Sequence, residues 1–546
     1  MRSHWAAALL LSTTLISLPA QSIPAPGPNL ALERQIAALA AEPAVARAHW
    51  GVVVTTLDGA PIAAVNAGQF FAPASNVKLF TTAAAIALLG PQATVETRVL
   101  AHGPLIAGIL TGDLVLLGAG DANLATDDVP YTPPATLHAR REAEAHPLSP
   151  EALAKADRDA HPLRALETLA EAVVKAGVTT VTGDLIGDDT LFPWEPFPEA
   201  WGIDDIVWGY GAPVSALSVH DNQLALRIRP GLAAAQPATV ISDPGLPAFY
   251  TIDAVALTTG PARSGTHIGL DRALRSRRVR LWGSIATDAK EDVETIAIDD
   301  PAEFAARALK GLLEARGITV RGIPRAQHRL LTSTEPFQQI ARSPQSPTPP
   351  APSPTTPAPD QVLASLRSPT LMDDILFTDK VSQNLHAELL LSRLSRLATP
   401  GSIDLGSRAL GARVVRTFLE QDGLNHDDFV FFDGSGLSVH DLVTPQAIAR
   451  LLQYAATQPW FTAWRSTLPI AGVDGSLASR FTKPPLTGHV FAKTGTLGEA
   501  RALSGYLECR SGRTVIFSVM VDTHAPGSTA DRDVTDRIVA AVWAAN

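Results

Sequence analysis

Ser75-Asn76-Val77-Lys78-Leu79-Phe80-Thr81-Thr82-Ala83-Ala84-Ala85-Ile86-Ala87-Leu88-Leu89, stopped by Gly90, is the stretch that decides the fold. It is apolar or small on nearly every side, and a helix that is hydrophobic all round belongs inside a protein. Positions i and i+3 of a helix share a face, so Lys78 brings its amine to the Ser75 hydroxyl. A free lysine titrates at about 10.4. Desolvation by Phe71, Val77, Leu79 and Phe80, or a nearby cation, lowers that value towards the range of a base. Ser75 at the helix start also has backbone N–H groups beside it that can meet a developing oxyanion. By itself, however, Ser-x-x-Lys is also the pattern of an N-cap serine next to a surface lysine.

Before this helix, Leu30 to Leu39 has helical spacing behind Asn29 as N-cap. Trp50 to Leu57 and Pro61 to Val65 read as a hairpin about Asp58-Gly59. After it, from about Thr94 to Arg325, short strands alternate with turns, as in Gly112 to Leu117, Val178 to Ile186 and Leu224 to Ile228. Helices over Leu163 to Ala176 and Pro301 to Ala315 interrupt them. Tyr131 to His161, rich in Ala, Pro and charge, reads as a surface insertion, and Ser343 to Pro359 as a Pro-rich linker or loop. Helices are predicted again over Gln383 to Leu397, Arg408 to Asp422, Pro445 to Ala455 and Ala530 to Trp543. Strands are predicted over Phe429 to Phe432, Val490 to Lys493, Ala502 to Cys509 and Thr514 to Val521. The long middle part thus splits a mixed α/β domain in two. The expected division is a domain made from residues 29–93 and 361–546, mostly-β inserted domains over 94–342 with the surface insertion at 131–161, and a linker at 343–360.

The 546 residues, 46% hydrophobic and 18% charged, suffice for about three domains. A net charge of −10 offers no basic footprint for nucleic acid. Arg2, the apolar run Trp5 to Leu18 and Leu18-Pro19-Ala20 read as an export signal over residues 1–20. That run is short for a spanning helix, so membrane association is expected to be peripheral at most. The single cysteine, Cys509, rules out an intramolecular disulfide and a Cys-based metal site, and the scattered histidines lack ligand spacing. No metal or organic cofactor is expected.

Two further short motifs follow the first in order. Ser382-Gln383-Asn384 alternates a hydroxyl and an amide, so that Ser382 can relay protons and Asn384 can hold a substrate amide. Lys493-Thr494-Gly495 follows the apolar run Val490 to Ala492 along a strand edge. Such an edge pairs with an extended peptide, Gly495 permits close approach, and Lys493 with Thr494 can bind a terminal carboxylate. Alone, these read as a helix cap and an ordinary strand end. All three together, in sequence and each in a suitable setting, point to an acyl-transfer serine enzyme.

With these motifs the chain resembles class C low-molecular-mass penicillin-binding proteins, the D-Ala-D-Ala carboxypeptidase/endopeptidase family. The likeness extends to Gly118-Ala119-Gly120-Asp121, Gly187-Asp188-Asp189-Thr190-Leu191-Phe192, Tyr210 to Leu217 with Asn222, Asp433-Gly434-Ser435-Gly436-Leu437-Ser438, and Leu468 to Leu477. It implies a penicillin-binding/β-lactamase-like α/β (α+β) domain, an antiparallel sheet flanked by helices, with large mostly-β inserted domains. It also implies catalytic roles for Ser75, Lys78, Ser382 and Asn384, and substrate contacts from Lys493, Thr494, Gly495 and Thr496. The oxyanion hole would be the backbone N–H groups of Ser75 and Thr496. Asp188, or its neighbour Asp189, corresponds to an acidic residue that meets the amino group of the substrate side chain. The implied partners are peptidoglycan peptides ending in D-Ala-D-Ala or joined by D,D cross-links, and β-lactams as inhibitors, in a periplasmic or other extracytoplasmic setting. A β-lactamase or a non-catalytic peptidoglycan-binding protein are the alternatives. Gln383, where the family has Asp, is expected to point away from the cleft, and Val439-His440-Asp441 departs from the family's pattern in a loop.

Overall fold

Along the strand Thr514–Asp522, Val515, Phe517, Val519 and Val521 pack into one hydrophobic cluster and Ile516 and Met520 into another. A strand turns successive side chains to opposite faces, so this run of apolar residues is the centre of a sheet covered on both sides. The computed structural model describes residues 27–122, 124, 131, 163–243, 245–343, 361–398 and 402–546. The expected export signal, the 131–161 insertion apart from Tyr131, and the Pro-rich stretch from 344 onward lie outside the described residues.

The sheet is five-stranded and antiparallel, in the order Pro61–Val65, His49–Thr56, Thr514–Asp522, Ala500–Glu508, Val490–Thr496. Both ends of the chain therefore build one sheet, and Val490–Thr496 is left at its edge. Leu32 and Ile36 of helix Leu30–Ala40 join Val534, Ile538 and Val542 of helix Ala530–Ala545 over one face. The other face meets helix Val77–Leu89 and helix Pro445–Ala456. Val77–Leu89 is buried from Val77 through Ile86, as its all-round apolar sequence requires.

Between Val77–Leu89 and the second half of this domain, a five-stranded mixed sheet runs in the order Pro324–Leu330, Leu185–Trp194, Asp113–Leu117, Glu96–His102, Gln361–Arg367. Its last strand corrects the expected division of the chain. Gln361–Arg367 pairs antiparallel with Glu96–His102, so the inserted sheet reaches Arg367 rather than ending before 361. Propensity could not reveal this, because the pairing partner lies more than 250 residues away. Two three-stranded sheets and a small four-stranded one complete the inserted part, with helices Arg164–Lys175 and Pro301–Ala315 sharing its core.

The structure contains three helices the sequence analysis leaves unassigned: Phe337–Arg342, Leu371–Val381 and Phe461–Thr467. The second has a readable start, a capping box in which Thr370 and Asp373 exchange hydrogen bonds with each other's backbone. Cys509 is a buried free thiol. Among the described residues no group of side chains could hold a metal ion, and no helix is long and apolar enough to cross a membrane.

Candidate active site

Ser75 lies in a single 3₁₀ turn, Ala74–Asn76, that runs directly into helix Val77–Leu89. Two glycines let other segments approach this turn. A Cβ on Gly436, at φ +84°, would fall 1.8 Å from the Ala74 carbonyl oxygen, and one on Gly495 would fall 2.6 Å from that of Pro73. Asn76 Nδ2 donates to the Lys493 carbonyl at 3.2 Å, tying the helix start to the edge strand.

Lys78 Nζ donates to Ser75 Oγ at 2.9 Å, to Asn384 Oδ1 at 2.7 Å and to the Ser435 carbonyl at 2.7 Å. Three oxygens thereby surround Lys78 Nζ. Lys78 is fully buried, and burial, with the Lys493 cation adding to it, holds its pKa well below the usual lysine value. Asp433, Glu388 and Asp379 oppose that shift without cancelling it. The low value expected from the apolar sequence thus has both of its anticipated causes.

Ser382 ends helix Leu371–Val381 in the left-handed conformation, and its Oγ accepts from Lys493 Nζ at 2.8 Å. Lys493 is itself buried, which lowers its pKa to about 8 against the pull of Asp379. Asp379, one turn before Ser382, is pushed up to about 6 by burial and takes a hydrogen bond from Thr467 Oγ1. Asn384 opens the next helix, Asn384–Leu394. Its Nδ2 donates to the carbonyl of Tyr210, at 2.9 Å, from the inserted part. Gln383 does turn from the cleft: it accepts from Leu385 N and donates to Asp221.

Ser75, Ser382, Asn384 and Thr496 line one cleft of about 690 Å³. Thr494 stands beside it, its Oγ1 2.6 Å from Ser476 Oγ. The inserted part closes the cleft with Asp204, Asp205 and Tyr210, whose hydroxyl donates to Asp205 at 2.8 Å. Asp188 is not in its lining. One carboxylate oxygen of Asp188 accepts from Thr190 N at 2.8 Å and the other from Gln327 at 3.4 Å. Asp189 is equally engaged, with Ser215 Oγ at 2.9 Å and His328 Nδ1 at 2.9 Å. Gly187 to Phe192 is therefore a structural lock inside the inserted part, and the acidic groups that the inserted part brings to the cleft, Asp204 and Asp205, come from a segment without a recognised motif.

Sequence reasoning also passed over the residues behind Lys78. Asp433 accepts from the backbone N–H of Ser435, Gly436 and Ser438 and from the indole of Trp201. This fixes the loop whose Ser435 carbonyl holds Lys78. Glu388, fully buried and raised to about 8 by burial and by Asp433, accepts from Gly434 N. The signal for Asp433 was present as the Asp-Gly-Ser-Gly string, without a role attached; Glu388 gives none, since nothing local marks a buried glutamate on a helix.

Comparison with known proteins agrees with this arrangement. The model of the D-Ala-D-Ala carboxypeptidase 3 (S13) family matches residues 32–339 and 352–545. A D-alanyl-D-alanine carboxypeptidase from Actinomadura is 30% identical over 538 residues, covering 96% of this chain and 87% of that protein. The D-alanyl-D-alanine carboxypeptidase DacB of Haemophilus influenzae is 24% identical over 472 residues, covering 85% and 83%. The crystal structure of penicillin-binding protein 4 from the same organism has the same fold, with a TM-score of 0.70 at 22% identity over 92% of this chain and 97% of that one. The chain belongs to the D-Ala-D-Ala carboxypeptidase 3 (S13) family.

Proposed function

We propose that the protein is a serine D-Ala-D-Ala carboxypeptidase and/or D,D-endopeptidase of peptidoglycan stem peptides, working through an acyl-enzyme on Ser75. The observation that carries the reading is the 2.9 Å contact between Ser75 Oγ and a buried Lys78 amine whose pKa is held low. A neutral amine at that distance is a general base. Lys78 takes the Ser75 proton, and Ser75 Oγ forms a bond to the carbonyl carbon of the penultimate D-Ala. The carbonyl oxygen, now carrying the negative charge, is met by the backbone N–H groups of Ser75 and Thr496. As the C–N bond breaks, Ser382 Oγ passes a proton to the leaving amine and is resupplied through Lys493. Water then adds to the ester carbonyl, its proton restoring Lys493, and as the C–O bond breaks Lys78 returns its proton to Ser75 Oγ. Lys493, Thr494 and Gly495 take the carboxylate of the leaving residue along the strand edge. The contact with a cationic substrate side chain expected of Asp188 falls instead to Asp205, which lines the cleft.

β-Lactams acylate the same serine. Residues 1–20 export the chain to an extracytoplasmic compartment where peptidoglycan is found. The test is the intact mass of the protein after incubation with benzylpenicillin, followed over time and paired with Ser75→Ala. A lasting single adduct that the variant lacks supports the reading. Rapid loss of the antibiotic without an adduct indicates a β-lactamase, and neither adduct nor loss indicates a non-catalytic binding protein.

A further inference from the structure

A second cavity, of about 550 Å³, opens where the edge strand Val490–Thr496 meets the first turns of helix Ala530–Ala545. Thr496 lines both this cavity and the catalytic cleft, and Thr494 and Ser476 stand in its wall. In the proposed reaction Thr494 and Gly495, which also line the cavity, sit at the carboxylate of the residue that leaves. The cavity therefore continues the cleft on the leaving-group side. A single D-alanine ends at that carboxylate and has nothing to place there. The amine-side half of a cross-linked peptide carries a whole second chain past it.

The walls are rich in donors. Arg480, Arg501 and Arg532 all line the cavity. Arg480 Nε donates to Asp536 at 2.7 Å, and Arg501 reaches Asp531 through Nε and the Ser528 carbonyl through Nη2. Nη1 of each has no hydrogen-bond partner among the described residues. Arg532 is exposed and forms no ion pair among them, with Asp533 as its neighbour in the lining. Guanidinium groups donate and never accept, so what completes them is an acceptor-rich ligand, above all a carboxylate.

From these observations we infer that the cavity is the subsite for the second, anionic peptide of a D,D-cross-linked substrate, with Arg532 as its exposed cation. The inference rests on the proposed peptidase reading and adds what sets the balance between carboxypeptidase and endopeptidase action. The experiment compares wild type, Arg532→Glu and Arg532→Lys on a D,D-cross-linked peptide dimer and on an uncross-linked peptide ending in D-Ala-D-Ala. The rate of acylation by benzylpenicillin serves as a third readout. In Arg532→Glu, kcat/KM on the dimer should fall about tenfold, the effect of losing one charge-assisted hydrogen bond. The uncross-linked peptide and penicillin should react at unchanged rates, and Arg532→Lys should recover most of the dimer activity. The inference is overturned if both peptides slow together, if neither slows, or if wild type cleaves the uncross-linked peptide but not the dimer. Wild type that cleaves neither and takes no penicillin would instead sink the peptidase reading itself.

Discussion

Lys78 and Lys493 are both buried, yet the proposed mechanism needs them in opposite charge states. Lys78 must be neutral to accept a proton, and the Lys493 cation adds to burial in lowering its pKa. Lys493 must be charged to meet a carboxylate, and its pKa of about 8 leaves that charge in place only up to mildly alkaline pH. A pH profile of kcat/KM on a D-Ala-D-Ala peptide should therefore fall as pH rises through about 8, with KM rising more than kcat falls. A profile flat to pH 10 would contradict the role given to Lys493. Asp433 is the third determinant, since it both orders the loop that holds Lys78 and raises the Lys78 pKa by its charge. Asp433→Asn should lower the acylation rate by penicillin at least about tenfold, as expected when a buried, hydrogen-bonded charge is removed. Ser75 and Lys78 were legible because a helix converts a spacing of three into proximity. Asp433 and Glu388 were not, because their partners are brought in by other segments.

The elements that carry these residues are held by short-range devices, two of which can be tested singly. Gly436 has a left-handed backbone and no room for a side chain against Ala74. Gly436→Ala should cost at least about 1–2 kcal/mol from its backbone conformation alone, and should slow acylation further because Ala74 adjoins Ser75. Thr444, by contrast, caps helix Pro445–Ala456 by accepting from Ala447 N at 3.1 Å. Thr444→Ala should lose about 1 kcal/mol in urea unfolding with the penicillin acylation rate unchanged, since this cap lies on no residue of the cleft. Helix Pro445–Ala456 was readable in the sequence through its cap and its Pro at the first turn. Leu371–Val381 had an equally clear Thr-x-x-Asp start, but its buried Asp374, Asp379 and Lys380 break the apolar pattern by which a helix is recognised.

Across the whole molecule the two parts of the chain are joined by a buried charge. His386, on the helix that begins with Asn384, lies with Nδ1 2.7 Å from Asp374 and Nε2 3.2 Å from Asp221 of the inserted part. Burial disfavours its charge, but the bonds to Asp221 and Asp374 outweigh burial and raise its pKa to about 10. An unfolded histidine titrates near 6.5. The stabilisation is thus complete below about pH 6.5 and is lost as pH rises towards 10. His328, held by Asp189 and Asp300 and likewise raised to about 10, acts in the same direction. The urea midpoint should fall steadily between pH 7 and 10, and His386→Gln should flatten part of that slope while lowering the midpoint at pH 7. A midpoint in wild type that does not move over this range would refute the clamp.

Sequence alone determined the local and the periodic. A buried helical run carries Ser75 at its 3₁₀ start and Lys78 in the helix that follows, a strand edge carries Lys493 to Thr496, and a long insertion separates two halves of one domain. Each of these follows from spacing within a single element, where covalent geometry dictates which side chains share a face. The tertiary structure decided everything that depends on which distant segments meet. It assigned Gln361–Arg367 to the inserted sheet, set Asp433 and Ser435 behind Lys78, and put Asp205 rather than Asp188 at the cleft. Such contacts arise from packing and hydrogen bonding between segments hundreds of residues apart, and no local pattern encodes them.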